Sequence, residues 1–78
     1  MIEALATEIK VRRGELGLSQ EALANQCELD RPYISLIEVG KKQPTLSVLA
    51  KLALGLDLPL GEFMTRVESR YRRSADRL

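Results

Sequence analysis

Five side chains between positions 31 and 36 combine a planar cation, two hydroxyl groups and two apolar groups: Arg31, Pro32, Tyr33, Ser35 and Leu36. The guanidinium of Arg31 can donate two hydrogen bonds to guanine O6 and N7, a pairing that discriminates between bases by about 1–3 kcal/mol. The Ser35 hydroxyl can bond to a base edge or a phosphate, and Leu36 or Pro32 can meet a thymine methyl group. For Tyr33 two interpretations stay open: its hydroxyl contacts a phosphate, or its ring packs on the first helix.

A second set of polar residues flanks this segment, and it consists of Gln20, Lys41, Lys42 and Gln43. Gln20 begins a predicted helix, where its amide and the exposed backbone amides can donate to a phosphate oxygen. Lys41, Lys42 and Gln43 form a polar loop, which suits contacts with a nucleic-acid backbone. On charge alone these lysines would be ordinary solvated residues, and so would Arg31. The interpretation therefore depends on the elements that hold them.

Two short helical patterns, separated by a break, hold these residues. The Ser19 hydroxyl can cap the first pattern, and Asp30 can cap the second. Pro32 then lies in a first turn that does not need the missing amide hydrogen. Because Ala24 is small, two helices can cross closely there over a short turn. We predict a helix-turn-helix with helices at about 20–26 and 31–39, the second lying in the DNA major groove.

Three segments match a known family in order and spacing: GLSQEALA at 17–24, YISLIE at 33–38 and GKKQPT at 40–45. With the leucine pattern that follows them, the chain resembles Cro/repressor-like (XRE-type) helix-turn-helix regulators over residues 9–63. The resemblance implies a compact, lambda-repressor-like DNA-binding domain of five helices, with Gln20 as a phosphate clamp. It suits a restriction–modification controller, a phage repressor or an antitoxin-type autoregulator, and the sequence does not separate these three.

The resemblance also implies a structural ion pair between Arg13, late in the first helix, and Glu38, at the end of the recognition helix.

Two residues depart from the family pattern. Glu28 stands at the turn position commonly held by glycine, so a residue with a side chain must adopt an adjusted backbone conformation there. Val39 replaces a polar residue and removes one expected phosphate contact.

Three further helical patterns make the predicted fold all-α. The first runs from Ile2 to Leu16 and ends at Gly17, with Glu8 assigned to its polar side and Gly14 either weakening it or allowing close contact with another backbone. Thr45 caps the fourth helix, whose inward residues are predicted to be Leu46, Leu49, Leu52, Ala53 and Leu56. A fifth helix begins at about Leu60, and no strand pattern competes.

The composition limits the function classes. Seventy-eight residues predict one domain, 1–78, and the single cysteine, Cys27, excludes an internal disulfide. The absence of histidine excludes the usual zinc spacings, and we expect no metal, no cofactor, no small-molecule ligand and no enzyme activity. No signal peptide or membrane-spanning run is evident, so the expected compartment is the cytoplasm. A net charge of +1 requires local basic clusters to carry any DNA binding.

Helix-turn-helix proteins usually bind as two-fold dimers, because one short helix offers few base contacts. We therefore predict a homodimer on a pseudo-palindromic double-stranded operator, with residues 58–78 as the dimerisation element. Its predicted interface residues are Leu58, Leu60, Phe63, Met64, Val67 and Tyr71. Alternatively, these residues only cover the core. The near-neutral charge keeps a second function open, a helical protein-interaction module or antitoxin-like partner binder on the same scaffold.

Overall fold

Five α-helices form the computed structural model, which describes residues 1–76. They are α1 (Ile2–Glu15), α2 (Gln20–Cys27), α3 (Arg31–Glu38), α4 (Leu46–Gly55) and α5 (Leu60–Asp76). Residues 1–76 contain no strand. The predicted all-α architecture of five helices is therefore confirmed, and the predicted bounds of the first three helices agree to within one residue at each end. The last two residues of the predicted dimerisation element, Arg77 and Leu78, lie outside the described residues.

Two of the predicted side-chain caps are formed and one is not. Ser19 Oγ accepts a hydrogen bond from the Ala22 amide at 3.0 Å, and Thr45 Oγ1 accepts one from the Val48 amide at 3.3 Å. Asp30 is the N-cap residue of α3, but its side chain makes no capping hydrogen bond. A cap normally bonds the second or third amide of the helix. The second residue here is Pro32, which has no amide hydrogen, and the amide of the third, Tyr33, donates to the Asp30 backbone carbonyl at 3.1 Å. The predicted side-chain cap at Asp30 is therefore wrong.

The ends of α1, α2 and α3 adopt left-handed backbone conformations. Gly17 and Gly40 have φ angles of 69° and 76°, as expected for glycines that follow a helix end. Glu28 ends α2 with φ 56°, in the turn of the helix-turn-helix. The predicted conformational adjustment at Glu28 is thus present, and a left-handed residue with a side chain costs about 1–2 kcal/mol.

All five helices contribute to one hydrophobic core. Its fully buried large side chains are Ile9, Leu23, Ile34, Ile37, Leu52, Leu56, Phe63 and Val67. Leu46 was predicted to face this core, but it is 71% exposed. The reason is its position in the first turn of α4, before that helix meets the core through Val48 and Leu49.

Glu8 lies inside the structure, which corrects its predicted place on the polar side of α1. Its side chain is 3% exposed, and its Oε1 accepts a hydrogen bond from Arg70 Nε at 2.7 Å. Arg66 NH1 stands 3.7 Å from its other carboxylate oxygen. Because α5 packs along α1, its arginines meet a carboxylate that the isolated α1 sequence would leave in water. Arg12, which also lies on α1, donates from Nε to the Leu56 carbonyl at 2.9 Å and so bonds α1 to the C-terminal end of α4.

The contact between α2 and α4 depends on a glycine. A Cβ at Gly55 would collide with the Cys27 sulfur and would stand 3.3 Å from Leu23 Cδ1. Cys27 is buried, and burial raises the pKa of its thiol, while a backbone hydrogen bond at Gly55 acts in the opposite direction. A Cβ at Gly14 would have no neighbouring atom within 4 Å, so the predicted alternative of a close backbone contact at Gly14 is wrong.

Candidate nucleic-acid interface

The recognition helix α3 is held by one face and exposed on the other. Ile34 and Ile37 are 1% and 0% exposed and belong to the core. Arg31, Pro32 and Leu36 are exposed, with Leu36 at 42%, and the Ser35 side chain is partly exposed. The structure therefore places four of the predicted base-contacting residues, Arg31, Pro32, Ser35 and Leu36, where a ligand in solution can reach them.

Tyr33 occupies an intermediate position. Its side chain is partly buried and packs against the hydrophobic core. Part of the side chain stays accessible, so a phosphate contact through the Tyr33 hydroxyl remains open.

Arg13 and Glu38 form the ion pair that the family resemblance implies. Arg13 Nε donates to Glu38 Oε2 at 2.9 Å, and Arg13 NH2 donates to Glu38 Oε1 at 3.0 Å. The remaining terminal nitrogen of Arg13 donates to the Leu18 carbonyl at 2.9 Å. The Glu38 side chain is 3% exposed and that of Arg13 is 21% exposed. A pair with two parallel hydrogen bonds and this much burial fixes the end of α3 against α1.

Gln20 makes two contacts that sequence reasoning missed. Its Nε2 donates to Glu38 Oε1 at 3.1 Å, and its Oε1 accepts a hydrogen bond from Arg31 NH1 at 3.3 Å. The partners are 18 and 11 residues away in the chain, so no helical spacing rule indicates them. Gln20 therefore lies between the buried ion pair and the arginine that best suits base recognition.

The loop after α3 presents its polar residues to solvent. Lys41, Lys42 and Gln43 are exposed, and Pro44 anchors the loop in the interior. The loop leaves the helix through Gly40, and the Lys41 amide donates to the Leu36 carbonyl at 2.9 Å. Two lysine charges consequently stand immediately beyond the C-terminal end of the recognition helix.

Half of the predicted dimer-interface residues are core residues of the protomer itself. Leu58 is 8% exposed, Phe63 is 0% and Val67 is 1% exposed, so these three cannot contribute appreciable surface to a partner. The alternative that they only cover the core is correct for them, because Leu58 in the connection before α5 and Phe63 and Val67 on α5 belong to the core. The other three predicted interface residues keep accessible surface: Leu60 and Met64 are partly exposed, and Tyr71 is exposed.

Within residues 1–76, no group of three or more histidine, cysteine, aspartate or glutamate side chains is arranged to hold a metal ion. Across the same residues, no helix has both the length and the apolar character that crossing a membrane requires.

Comparison with known proteins agrees with this architecture. Residues 9–63 match the family model described as helix-turn-helix. The control protein C.MunI from Mycoplasma sp. is 42% identical over 59 residues, which are 76% of this chain and 80% of that protein. The restriction-modification controller protein C.AhdI from Aeromonas hydrophila is 34% identical and has a TM-score of 0.76, covering 80% of this chain and 94% of that one.

A third similar protein was solved with a ligand. The protein C.Esp1396I bound to a 19 base pair DNA duplex superimposes with a TM-score of 0.83 at 31% identity, over 90% of this chain and 93% of that one. The segment that matches the family model, residues 9–63, contains α2, the turn, α3 and α4, together with the second half of α1 and the start of α5. By sequence and by structure, the chain belongs to the XRE-type helix-turn-helix family.

Proposed function

We propose that this chain is a sequence-specific, double-stranded-DNA-binding transcriptional regulator that acts as a homodimer, with α3 in the major groove. The observation that carries the proposal is that α3 is buried on one face and exposed on the other. Ile34 and Ile37 fix the helix to the core, whereas Arg31 and Pro32 in its first turn and Leu36 further along are exposed. The N-terminal residues of a recognition helix are those that reach the base edges.

The neighbouring polar residues supply the sequence-independent part of binding. Lys41, Lys42 and Gln43 are exposed directly after α3, where the DNA backbone would flank a helix in the groove. Gln20 lies at the N-terminus of α2, where backbone amides also favour a phosphate. Such contacts release counterions, so they make the affinity strongly dependent on salt.

A homodimer follows from the size of the recognition helix. Because α3 has eight residues, one protomer offers few base contacts, and two protomers related by a two-fold axis would recognise a pseudo-palindromic operator. We place the dimer contact on the exposed side of α5, at Leu60, Met64 and Tyr71. In this proposal residues 1–78 act as one domain, and the buried Leu58, Phe63 and Val67 support the surface from within.

The named relatives narrow the biological role. Two of them are control or controller proteins, and one relative was solved on a DNA duplex, which supports a role as a gene regulator of the restriction–modification controller type. Such a regulator would act in the cytoplasm together with its operator. We assign it no catalytic activity, since the proposed site binds DNA without changing a covalent bond.

Selecting bound sequences from random double-stranded DNA tests the proposal. The expected result is an enriched site made of two inverted half-sites about one helical turn apart. Sedimentation of the protein across a dilution series should show a dimer that dissociates to monomers. A failure to enrich any sequence, with a folded protein at low salt, would contradict DNA recognition and favour the protein-interaction module instead.

A further inference from the structure

One side of α1 carries three charged residues that contact α5 or the connection before it. Glu8, Arg12 and Glu15 are spaced four and three residues apart, so they lie along one stripe of the helix. We propose that this stripe, the ionic side of α1, sets the placement of α5 and with it the relative orientation of the two protomers in the dimer. The inference rests on the proposed function, because it concerns the homodimer and its operator.

Glu8 holds the middle of α5 from the interior. Its side chain is 3% exposed, and its Oε1 accepts a hydrogen bond from Arg70 Nε at 2.7 Å. Arg66 NH1 lies 3.7 Å from the other oxygen, Oε2. Since Arg66 and Arg70 stand about one helical turn apart, a single carboxylate contacts two successive turns of α5. Two contacts along the helix restrict its rotation about its own axis.

Arg12 holds the start of the same helix. Its Nε donates to the Leu56 carbonyl at 2.9 Å, and its NH2 donates to the Asp57 carbonyl at 3.4 Å. Both carbonyls belong to the connection between α4 and α5, so Arg12 ties that connection to α1. Arg12 NH1 also lies 3.4 Å from Glu15 Oε1, and Arg66 NH1 lies 3.7 Å from the same oxygen. The contacts at the start and in the middle of α5 therefore form one network.

The buried face of α5 lies between its ionic contacts and its proposed dimer contact. Phe63 and Val67 form the buried stripe. The two arginines that contact Glu8 each follow one of these residues by three positions, whereas Leu60 and Met64 each precede one by three positions. A step of three residues turns about 60° short of a full circle, so the two sets flank the buried stripe on opposite sides. A rotation of α5 that breaks the ionic contacts therefore turns the dimer surface as well.

Stability alone does not account for a carboxylate at position 8. Within residues 1–76, Glu8 Oε2 makes no hydrogen bond, and buried ion pairs add little stability over apolar residues of similar volume. What the pair adds is direction, because hydrogen bonds depend on angle and apolar contacts do not. An apolar side chain at this position would therefore keep α5 attached but restrict its rotation less.

The ionic side also relates the dimer surface to the recognition helix. The Arg13–Glu38 pair fixes α3 to α1, and the ionic side fixes α5 to the same helix. Because α1 holds both elements, it sets the angle and distance between them within a protomer. In a two-fold dimer, this geometry determines how far apart the two recognition helices stand and so the spacing of the half-sites.

The test uses the operator that the full chain selects, together with copies whose centre is lengthened or shortened by a base pair. The measured quantity is the ratio of the affinities for the selected and the altered spacings. The folded fraction enters both affinities equally, so a loss of stability does not change this ratio. The variants Glu8→Met and Arg12→Met keep a long side chain and remove its charge. Lys10→Met, at an exposed position of the same helix, is the matched control.

We expect Glu8→Met and Arg12→Met each to lower this ratio by at least about threefold, within the range for residues that are coupled through a backbone shift. Lys10→Met should leave the ratio unchanged. A smaller change in a folded variant would overturn the positioning role of the residue that it replaces. A wild type that selects no paired half-sites, or that sediments as a monomer at every concentration, would instead overturn the proposed homodimer.

Discussion

Glu38 binds Arg13 through both carboxylate oxygens, at 2.9 and 3.0 Å, from a position that is 4% exposed. The pair joins the last residue of the recognition helix to the first helix of the fold. Such a buried pair adds little net stability over apolar residues, but removing one partner leaves the other without its counterion. Glu38 is therefore a residue that orients the recognition helix, and its loss should affect folding first.

Replacement of Glu38 by alanine is expected to lower the free energy of unfolding by about 3 kcal/mol, at the lower end of the range for broken buried pairs because Arg13 is partly exposed. Urea denaturation measures this change. Glu21→Ala, at an exposed position on α2, should change stability by less than about 0.5 kcal/mol. An unchanged melting temperature together with an altered base preference for Glu38→Ala would show that the residue acts in recognition instead.

The crossing of α2 and α4 should not tolerate a methyl group at Gly55. Gly55→Ala would drive a Cβ against the Cys27 sulfur, and overpacking of this kind costs about 1–3 kcal/mol. The double variant with Cys27→Ala should recover part of the loss, because it removes the sulfur. Gly14→Ala serves as the control, since open space surrounds it and alanine favours the helix by about 1 kcal/mol. Thermal denaturation that finds both glycine variants equally stable would disprove the close contact.

Arg70 should matter more for stability than a neighbouring arginine on the same helix. Arg70→Ala leaves the buried Glu8 without its 2.7 Å hydrogen bond, and such an unsatisfied group costs about 1–3 kcal/mol. Arg72→Ala removes a pair with Glu68 in which both side chains are more than half exposed, so its effect should stay below about 1 kcal/mol. Chemical denaturation of the two variants compares them directly. Equal losses would mean that the Glu8 contact contributes nothing beyond a surface pair.

Stability should fall in alkaline solution partly through Cys27. Burial raises the pKa of its thiol above the ordinary value of 9.0, so the folded state holds the proton more tightly than the unfolded chain does. The contribution is complete below the unfolded pKa and is lost as the pH rises through the folded pKa. Between about pH 7 and about pH 10, the wild type should therefore lose more unfolding free energy than Cys27→Ala. Parallel losses in urea titrations of the two proteins would contradict the assignment.

Local sequence signals were sufficient for the elements of the fold. Ser19 and Thr45 mark helix starts because their hydroxyls bond nearby amides, and Gly17 and Gly40 mark helix ends because they reach left-handed backbone angles. The inward face of α3 follows from the three-residue spacing of Ile34 and Ile37. These features depend on neighbours within a few positions, so the chain alone predicts them.

The missed features are contacts between distant segments. Glu8 looked like a solvent-facing residue because its partner Arg70 lies 62 residues further on. Phe63 and Val67 looked available to a dimer partner because the sequence does not show how much of α5 one core can bury. Of the proposed DNA-binding site, the sequence predicted the residues on α3 and in the loop that follows it, and most of these are exposed. The two hydrogen bonds of Gln20 required the relative placement of α2 and α3.

In the proposed complex, α3 reads base pairs while the following loop binds the DNA backbone. A comparison of Arg31→Ala with Lys41→Ala separates these two roles, on the selected site and on an unrelated sequence, at salt concentrations from about 50 to about 200 mM. We predict that Arg31→Ala reduces the preference for the selected site by about 1–3 kcal/mol. Lys41→Ala should weaken binding to both sequences and lower the salt slope by about 1. Binding that is independent of salt, or a preference that Arg31→Ala leaves intact, would contradict this assignment of α3 and its loop.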